Sequence, residues 1–383
     1  MSWVAAGRFG VGARRIVVGA MLGVMLLSGC ARFDDRASTP FTTEPNWQDA
    51  DQGSTKPNAP SSSAKRPDLP CVDPDPAVVI SCLDTTGGVV TLPDGTSGLV
   101  AERLTGRILK VVATDEGVPP APVEIAHLDV DATGDGGLTA LALSPSFAED
   151  GLIYAYITTG SDNRVVRVST DGGAPKPILT GIPKGANGNR GALDFHTADK
   201  MLVLTGDAGN PSSAADNGSW AGKLLSVNSP APGATAQVML AGIGVAGGVC
   251  SDHQDSIWIT DRTATEDRLQ RVAPDGTATK AWSWPDHPGV AGCAAATDGV
   301  AIALTNQKAL AIAKADKTTH AVTASPTLLA QDKYGRLDGA SIGGDGSIWS
   351  STVNKSDGGQ PNQYDDRVVR IPPPSAGQGG GPD

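Results

Sequence analysis

The sequence predicts an all-β fold, a six-bladed β-propeller, and three observations carry that reading. A short apolar-basic strand recurs six times, an acidic turn leading into a second strand precedes most copies, and the composition favours turns over long helices. Gly at 48 and Pro at 28, with aromatic residues at only 4%, suit many tight turns.

The repeated strand reads Arg107-Ile108-Leu109-Lys110-Val111, then Arg164-Val165-Val166-Arg167-Val168, Lys223-Leu224-Leu225-Ser226-Val227, Arg268-Leu269-Gln270-Arg271-Val272, Ala309-Leu310-Ala311-Ile312-Ala313 and Arg367-Val368-Val369-Arg370-Ile371. The first and last copies start 260 residues apart, so the five intervals average 52 residues. The second strand follows turns at Asp150-Gly151, Asp199-Lys200, Asp255-Ser256, Asp298-Gly299 and Asp345-Gly346. Such turns beside β-branched and aromatic runs are hairpin signals. Two paired strands in a period near 50 leave room for a four-stranded blade, and six copies give six blades. A solenoid prefers a shorter period, and a sandwich has no reason to repeat one strand six times.

The blades are assigned to residues 71–372, and the flanks read differently. Residues 1–29 have the form of an export signal: Arg8, Arg14 and Arg15 precede an apolar run, Ile16 to Leu27, too short to span a bilayer. The run ends in Leu27-Ser28-Gly29-Cys30, the pattern of a bacterial lipobox, which makes Cys30 the expected lipidation site. The expected location is the extracytoplasmic face of the cell membrane, with a palmitate-type acyl anchor. Residues 30–70 read as the lipidated cysteine and a flexible Pro/Ser/Thr-rich tether, and residues 373–383 as a disordered tail. Four cysteines follow Cys30, an even count that favours disulfides in an oxidising compartment. Three connectivities are possible; the pairing Cys71–Cys82 with Cys250–Cys293 closes the most modest loops. The formal net charge is −11, and removing three arginines with the signal leaves −14. That charge excludes nucleic acid as a partner bound through phosphates, and excludes adhesion to anionic lipid by charge alone.

Catalytic motifs fail on their contexts. Gly242-Ile243-Gly244-Val245-Ala246-Gly247 spells a dinucleotide fingerprint but leads toward a strand, where the fingerprint needs a helix. Gly339-Ala340-Ser341-Ile342-Gly343 spells a nucleophile elbow, yet the last histidine, His320, precedes Ser341. Asp129 to Asp135 resembles the opening of a calcium loop, but Ala140 stands where the bidentate glutamate belongs. His127, His196, His253, His287 and His320 show no metal-ligand spacing, so no metal site is expected.

Several segments resemble a known family. Gly136-Gly137-Leu138-Thr139-Ala140-Leu141-Ala142-Leu143-Ser144-Pro145-Ser146-Phe147 is similar to the "GGLLGLALHPDF" segment of soluble quinoprotein glucose/sorbosone dehydrogenases. Val100 to Arg107 resembles their "VTER-GR" strand, Leu204 to Gly209 their "TTGDAG", and Ala221 to Leu225 their "AGKILR". The resemblance implies a six-bladed propeller and oxidation of an aldose by pyrroloquinoline quinone, held with calcium at the axial face. It also implies a histidine as general base, in a "HNGGRLAF" segment. Alignment on Leu193 and Phe195 places Gly188 at that histidine's position, and a glycine cannot accept a proton. The family's "RNPQG" cofactor segment falls on Gly244-Val245-Ala246-Gly247-Gly248, without the arginine or the asparagine. His196 lies past Phe195, at the turn before the next strand, and is a poor substitute base.

The expected function is therefore a non-catalytic propeller, binding an envelope glycan or protein partner through its axial face, with no catalytic residue. Candidate contacts on that face are Asp135, Asn187, Asn189, Arg190, Asp207 and Arg262. The alternative is a quinone-dependent aldose dehydrogenase with a rearranged site, which alone requires pyrroloquinoline quinone and calcium. A calcium-dependent lactonase on the same architecture is a third class, with Asp135 and Asp207 as its only plausible carboxylates.

Overall fold

The computed structural model describes residues 69–273 and 275–373. The expected export signal, Cys30, nearly all of the expected tether and the residues from 374 onward lie outside the described residues. Six four-stranded antiparallel sheets form six blades, each a meander running from the central axis outward. Blade 1 consists of Thr86–Thr91, Ser97–Glu102, Arg107–Val112 and Val123–His127. The innermost strands of blades 2 to 6 are Leu138–Leu143, Gly191–Thr197, Val245–Ser251, Val290–Ala296 and Leu337–Ile342. Neighbouring innermost strands touch around the whole ring, including blade 6 against blade 1.

The six recurrent segments are the third strands of the six blades, and the segments after the acidic turns are the second strands of blades 2 to 6. The cation that opens most third strands varies in burial, Arg107 being 38% exposed and Lys223 fully buried on the Ser213, Ala214 and Ala221 carbonyls, while alternate apolar residues enter the seams. Those seams hold the core. Six clusters of buried apolar side chains occupy the six spaces between successive blades, with Tyr156 between blades 2 and 3, Trp258 between 4 and 5, and Trp349 between 6 and 1. A propeller core is thus six wedges of apolar packing, each needing both its blades.

Blade 6 is completed from the other end of the chain. Its outermost strand is Val78–Ile80, paired with Val368–Ile371, so the two ends of the chain lock the ring. The disulfide Cys71–Cys82 brackets that strand. Cys250–Cys293 joins the innermost strands of blades 4 and 5, so both pairs are those that loop length favours.

Asp366 sits in this closure with no exposed surface. It accepts hydrogen bonds from the Asn354 N–H (2.6 Å), the Thr352 hydroxyl (3.1 Å) and the Lys355 N–H (3.3 Å). Burial outweighs these donors and pushes its pKa up to about 7. The folded state therefore holds this proton more tightly than the unfolded chain, and stability is lost as pH rises from about 4 to about 7. Asp366→Asn is expected to melt with the wild type near pH 4 and a few degrees above it near pH 8. Parallel thermal melts across that range test this; equal melting at both ends would show the carboxylate is not penalised.

Two of the sequence motifs rejected above, the dinucleotide fingerprint and the nucleophile elbow, are strands and turns. Val245-Ala246-Gly247 is the start of the blade 4 innermost strand, and Gly339 to Ile342 lies within that of blade 6. Ser341 Oγ contacts the Thr91 N–H and hydroxyl, each at 3.1 Å, which ties blade 6 to blade 1.

Candidate axial site

The ends where innermost strands begin and second strands finish face one side of the propeller, and charged residues gather there. Arg190 immediately precedes the innermost strand of blade 3, and Asp338 is the second residue of that of blade 6. Blades 3 and 6 stand opposite one another in a six-membered ring. Arg190 Nη2 lies 2.7 Å from both Asp338 oxygens, so this ion pair spans the axis like a crossbar. Asp338 is 3% exposed. Burial disfavours the guanidinium charge of Arg190, but the charge and hydrogen bonds of Asp338 prevail and raise its pKa.

Below the crossbar the bore is narrow because the innermost strands are rich in glycine and small residues. At Gly248 a Cβ would stand 2.6 Å from the Cys293 nitrogen, and at Gly292 the same distance from the Asp338 carbonyl oxygen. The half-open space lined by these glycines, Thr139, Arg190 and Asp338 is about 60 Å³. That volume holds a few waters and no sugar or quinone. A sugar or quinone at this end of the propeller would sit outside that space.

Two more arginines flank it, at the ends of the second strands of blades 1 and 4, which also oppose one another. Arg103 donates from Nη1 to the Gly136 carbonyl at 2.6 Å. Arg262 is different: its Nε is sealed from solvent without a hydrogen-bond partner. Burial first, and then the charge of Arg190, lower the pKa of both Arg103 and Arg262, with Asp338 and Asp135 opposing. Asp338 is committed to Arg190, and Asp135 accepts from the Gly188 N–H (2.9 Å), the Asn189 N–H (3.0 Å) and the Asn189 side chain (3.3 Å). Asp267, the cross-strand partner of Arg262, attracts it more than Asp135 does but accepts from the Gly289 N–H (2.7 Å), and among the described residues Arg262 Nε has no hydrogen-bond partner, in a chain that is acidic overall.

The sequence-derived contacts divide accordingly. Arg190 and Arg262 belong to the mouth, with Asp135 behind them. Asn189 is fully buried and spent on Asp135, Gly185 and Asn163, so it builds the loop and is not a ligand contact. Asp207 receives the Gly209 N–H at 2.9 Å, a turn-capping role. Asn187 is exposed at the rim. Arg103 and Asp338 were missed. Arg103 stood in the quoted "VTER"-like strand, whereas Asp338 carried no signal beyond being a charge in an otherwise apolar segment.

The loop at Gly188 has no room for a side chain. Its φ is +73°, and a Cβ there would stand 2.5 Å from Asp207 Oδ1 and from the Gly209 nitrogen. His196 cannot replace a base at this end. It closes the innermost strand of blade 3, six residues beyond Arg190 and so roughly 20 Å along the strand. Gly244 is equally confined, 2.1 Å from the Arg262 carbonyl for a Cβ, but the cation absent there returns one strand over. Val245 pairs with Arg262 across the sheet, so Arg262 occupies the corner beside Gly244.

Residues 83–240 match the Glucose / Sorbosone dehydrogenase family. The PQQ-bound aldose sugar dehydrogenase of Streptomyces coelicolor is 28% identical, with a TM-score of 0.68 over 77% of this chain and 96% of that one. The soluble aldose sugar dehydrogenase of Escherichia coli, at 18% identity, TM-score 0.62 and coverage of 78% and 99%, shares the fold. So does a luciferin-regenerating enzyme, at 10% identity, TM-score 0.53 and coverage of 76% and 92%. No curated protein matches the chain. The Glucose / Sorbosone dehydrogenase match spans blades 1 to 3, where the sequence motifs were read, and the propeller continues beyond it. The fold alone does not name the chemistry.

The residues fit the cofactor of that family only in part. Three arginines suit a carboxylate-rich quinone. The general-base position is closed at Gly188, and of the two carboxylates available for calcium Asp135 is engaged by three N–H groups and Asp207 by a turn.

Proposed function

We propose that this chain is a sugar-dehydrogenase-like propeller whose axial mouth binds an anionic ligand without oxidising it, as a lipid-anchored module of the cell envelope. The observation that carries this is Arg262, a sealed guanidinium nitrogen without a partner beside the Arg190–Asp338 crossbar. Leaving such a group unsatisfied is costly, and a turn of the Arg262 side chain toward a carboxylate or phosphate at the mouth would restore its hydrogen bonds. The closed loop at Gly188 supports binding without proton abstraction. An acidic envelope saccharide, carrying a uronate or phosphate, supplies both the anion and the hydroxyls that the loop carbonyls around Gly134 and Ala186 would accept. The anchor proposal rests on Cys30 and is tested by intact mass of the membrane-extracted protein.

The second reading, a pyrroloquinoline-quinone-dependent aldose dehydrogenase with a rearranged site, draws support from the 28% identity to a PQQ-bound enzyme and from the same arginines. Its base would have to be His287, whose Nδ1 lies 3.1 Å from Asp267 Oδ1 at the same end of the propeller. Calorimetric titration of the full chain separates the two. Glucuronate and glucose 6-phosphate are expected to bind and glucose not to, and Arg262→Ala is expected to weaken that binding by about 10- to 100-fold. Quinone binding in calcium buffer with dye reduction by aldoses, lost in His287→Ala, would instead establish the dehydrogenase. Absence of binding by either anionic sugar would sink the proposal.

A further inference from the structure

The opposite end of the propeller gathers a different set of groups. Three of the five histidines lie at that end: His196 near the end of the innermost strand of blade 3, and His253 and His320 on turns of blades 4 and 5. One ligand atom from each of Asp252, Asp255 and His320 falls within 4.8 Å of the others. Asp252 and Asp255 belong to the first turn of blade 4, and His320 to the connection between the third and outermost strands of blade 5.

The cluster is more than two acidic groups near a histidine. Asp252 is 2% exposed, and its Oδ1 is fixed by the Gln254 N–H (2.9 Å) and the Ser256 N–H (3.0 Å). No hydrogen bond reaches its Oδ2 among the described residues. That oxygen is not sealed from solvent, so a carboxylate whose other oxygen is fixed by two N–H groups presents it, already oriented, to an incoming ion. His320 Nε2 stands 3.3 Å from Asp255 Oδ1, with the ring 12% exposed. The neighbouring cation, Arg271, is turned to the Ser256 hydroxyl (2.7 Å) and the Asp255 carbonyl (3.1 Å) and leaves the carboxylates open.

We propose that Asp252, Asp255 and His320 form a divalent transition-metal site that clamps blade 4 to blade 5. An imidazole nitrogen with two carboxylates selects zinc, cobalt or nickel over calcium and magnesium, which prefer oxygen alone. Water completes the coordination. The site lies on the same seam as the Cys250–Cys293 disulfide, Asp252 being two residues beyond Cys250, so the ion and the disulfide fasten the same pair of blades. This inference is independent of the axial ligand.

The test uses the full chain without an affinity tag, titrated with Zn2+ by calorimetry and with Co2+ by visible absorption, beside a Ca2+ control. One Zn2+ per chain is expected, with a Co2+ ligand-field spectrum and a rise in melting temperature. His320→Ala and Asp255→Asn should each weaken binding by at least about tenfold, and His127→Ala, at the other end, should leave it unchanged. Asp255 is 59% exposed, so its substitution does not threaten the fold. Absence of Zn2+ binding at about 1 mM, retention of full affinity in His320→Ala, or preference for Ca2+ would each overturn the proposal.

Discussion

Arg367→Ala is expected to cost about 3–5 kcal/mol of stability, because it leaves two buried carboxylates without their cation. The Arg367 side chain is 7% exposed and joins three parts of the closure. Its Nε donates to Asp365 Oδ1 (2.8 Å), its Nη1 to Asp73 Oδ2 (3.0 Å) and its Nη2 to the Tyr334 carbonyl (3.0 Å). Asp73 belongs to the segment before Val78–Ile80, so the guanidinium ties the start of the ring to its end. Asp365 retains Asn354 and Asn362 as donors, but Asp73 keeps only its own turn. Arg367→Lys reaches at most one of the three acceptors and is expected to fall between. Denaturant midpoints measure both variants, and a loss below about 1 kcal/mol for alanine would show that the closure does not depend on this residue.

That closure was the part of the fold hardest to read from sequence. The third strands were legible because a short apolar stretch, most often with a basic residue, recurs in each blade, as in Arg164 to Val168, and the second strands of blades 2 to 6 because an Asp-led turn precedes them. Val78–Ile80 offers three apolar residues and a partner almost 300 positions away. No local pattern encodes such a pairing. The innermost strands were obscured for another reason. Segments such as Val290-Ala291-Gly292-Cys293-Ala294-Ala295-Ala296 do not alternate, since the blades crowd both their faces and glycine is what fits at Gly292. Their meaning comes from the neighbouring blade.

The axial site followed the same division. Arg190 and Arg262 were recognisable as polar residues on axial loops, but the crossbar was not, because Asp338 meets Arg190 only across the diameter of a closed ring. The loss of cationic character inferred at Gly244 was correct for that position and incomplete for the site, since Arg262 reaches the same corner from the paired strand. The far-end histidines show the limit most clearly. His253 and His320 are separated by 67 positions, and only the packing of blade 4 on blade 5 brings Asp252, Asp255 and His320 together.

Restoring the missing histidine is expected to fail, and Gly188→His is the second substitution with a large effect. Residue 188 occupies the left-handed region at φ +73°, which costs a non-glycine residue about 1–2 kcal/mol. A Cβ there would also stand 2.5 Å from Asp207 Oδ1 and the Gly209 nitrogen, and 2.9 Å from the Ala208 nitrogen. Two of these three atoms are backbone and cannot swing aside, so overpacking adds about 1–3 kcal/mol. The loop could relieve the clash only by giving up the Gly188 N–H bond to Asp135 (2.9 Å) and the Ala208 N–H bond to the Gly188 carbonyl (3.0 Å). Those bonds hold Arg190 in place for Asp338, one residue past Asn189, so the crossbar would loosen with the loop. The variant is therefore expected to lose about 2–5 kcal/mol and to gain no quinone-dependent oxidation of glucose. Denaturation and dye-reduction assays on the same preparation give both readings. A stable variant that oxidises glucose would mean the loop adapts to a base at this position, and the chain would then stand one substitution from a sugar dehydrogenase.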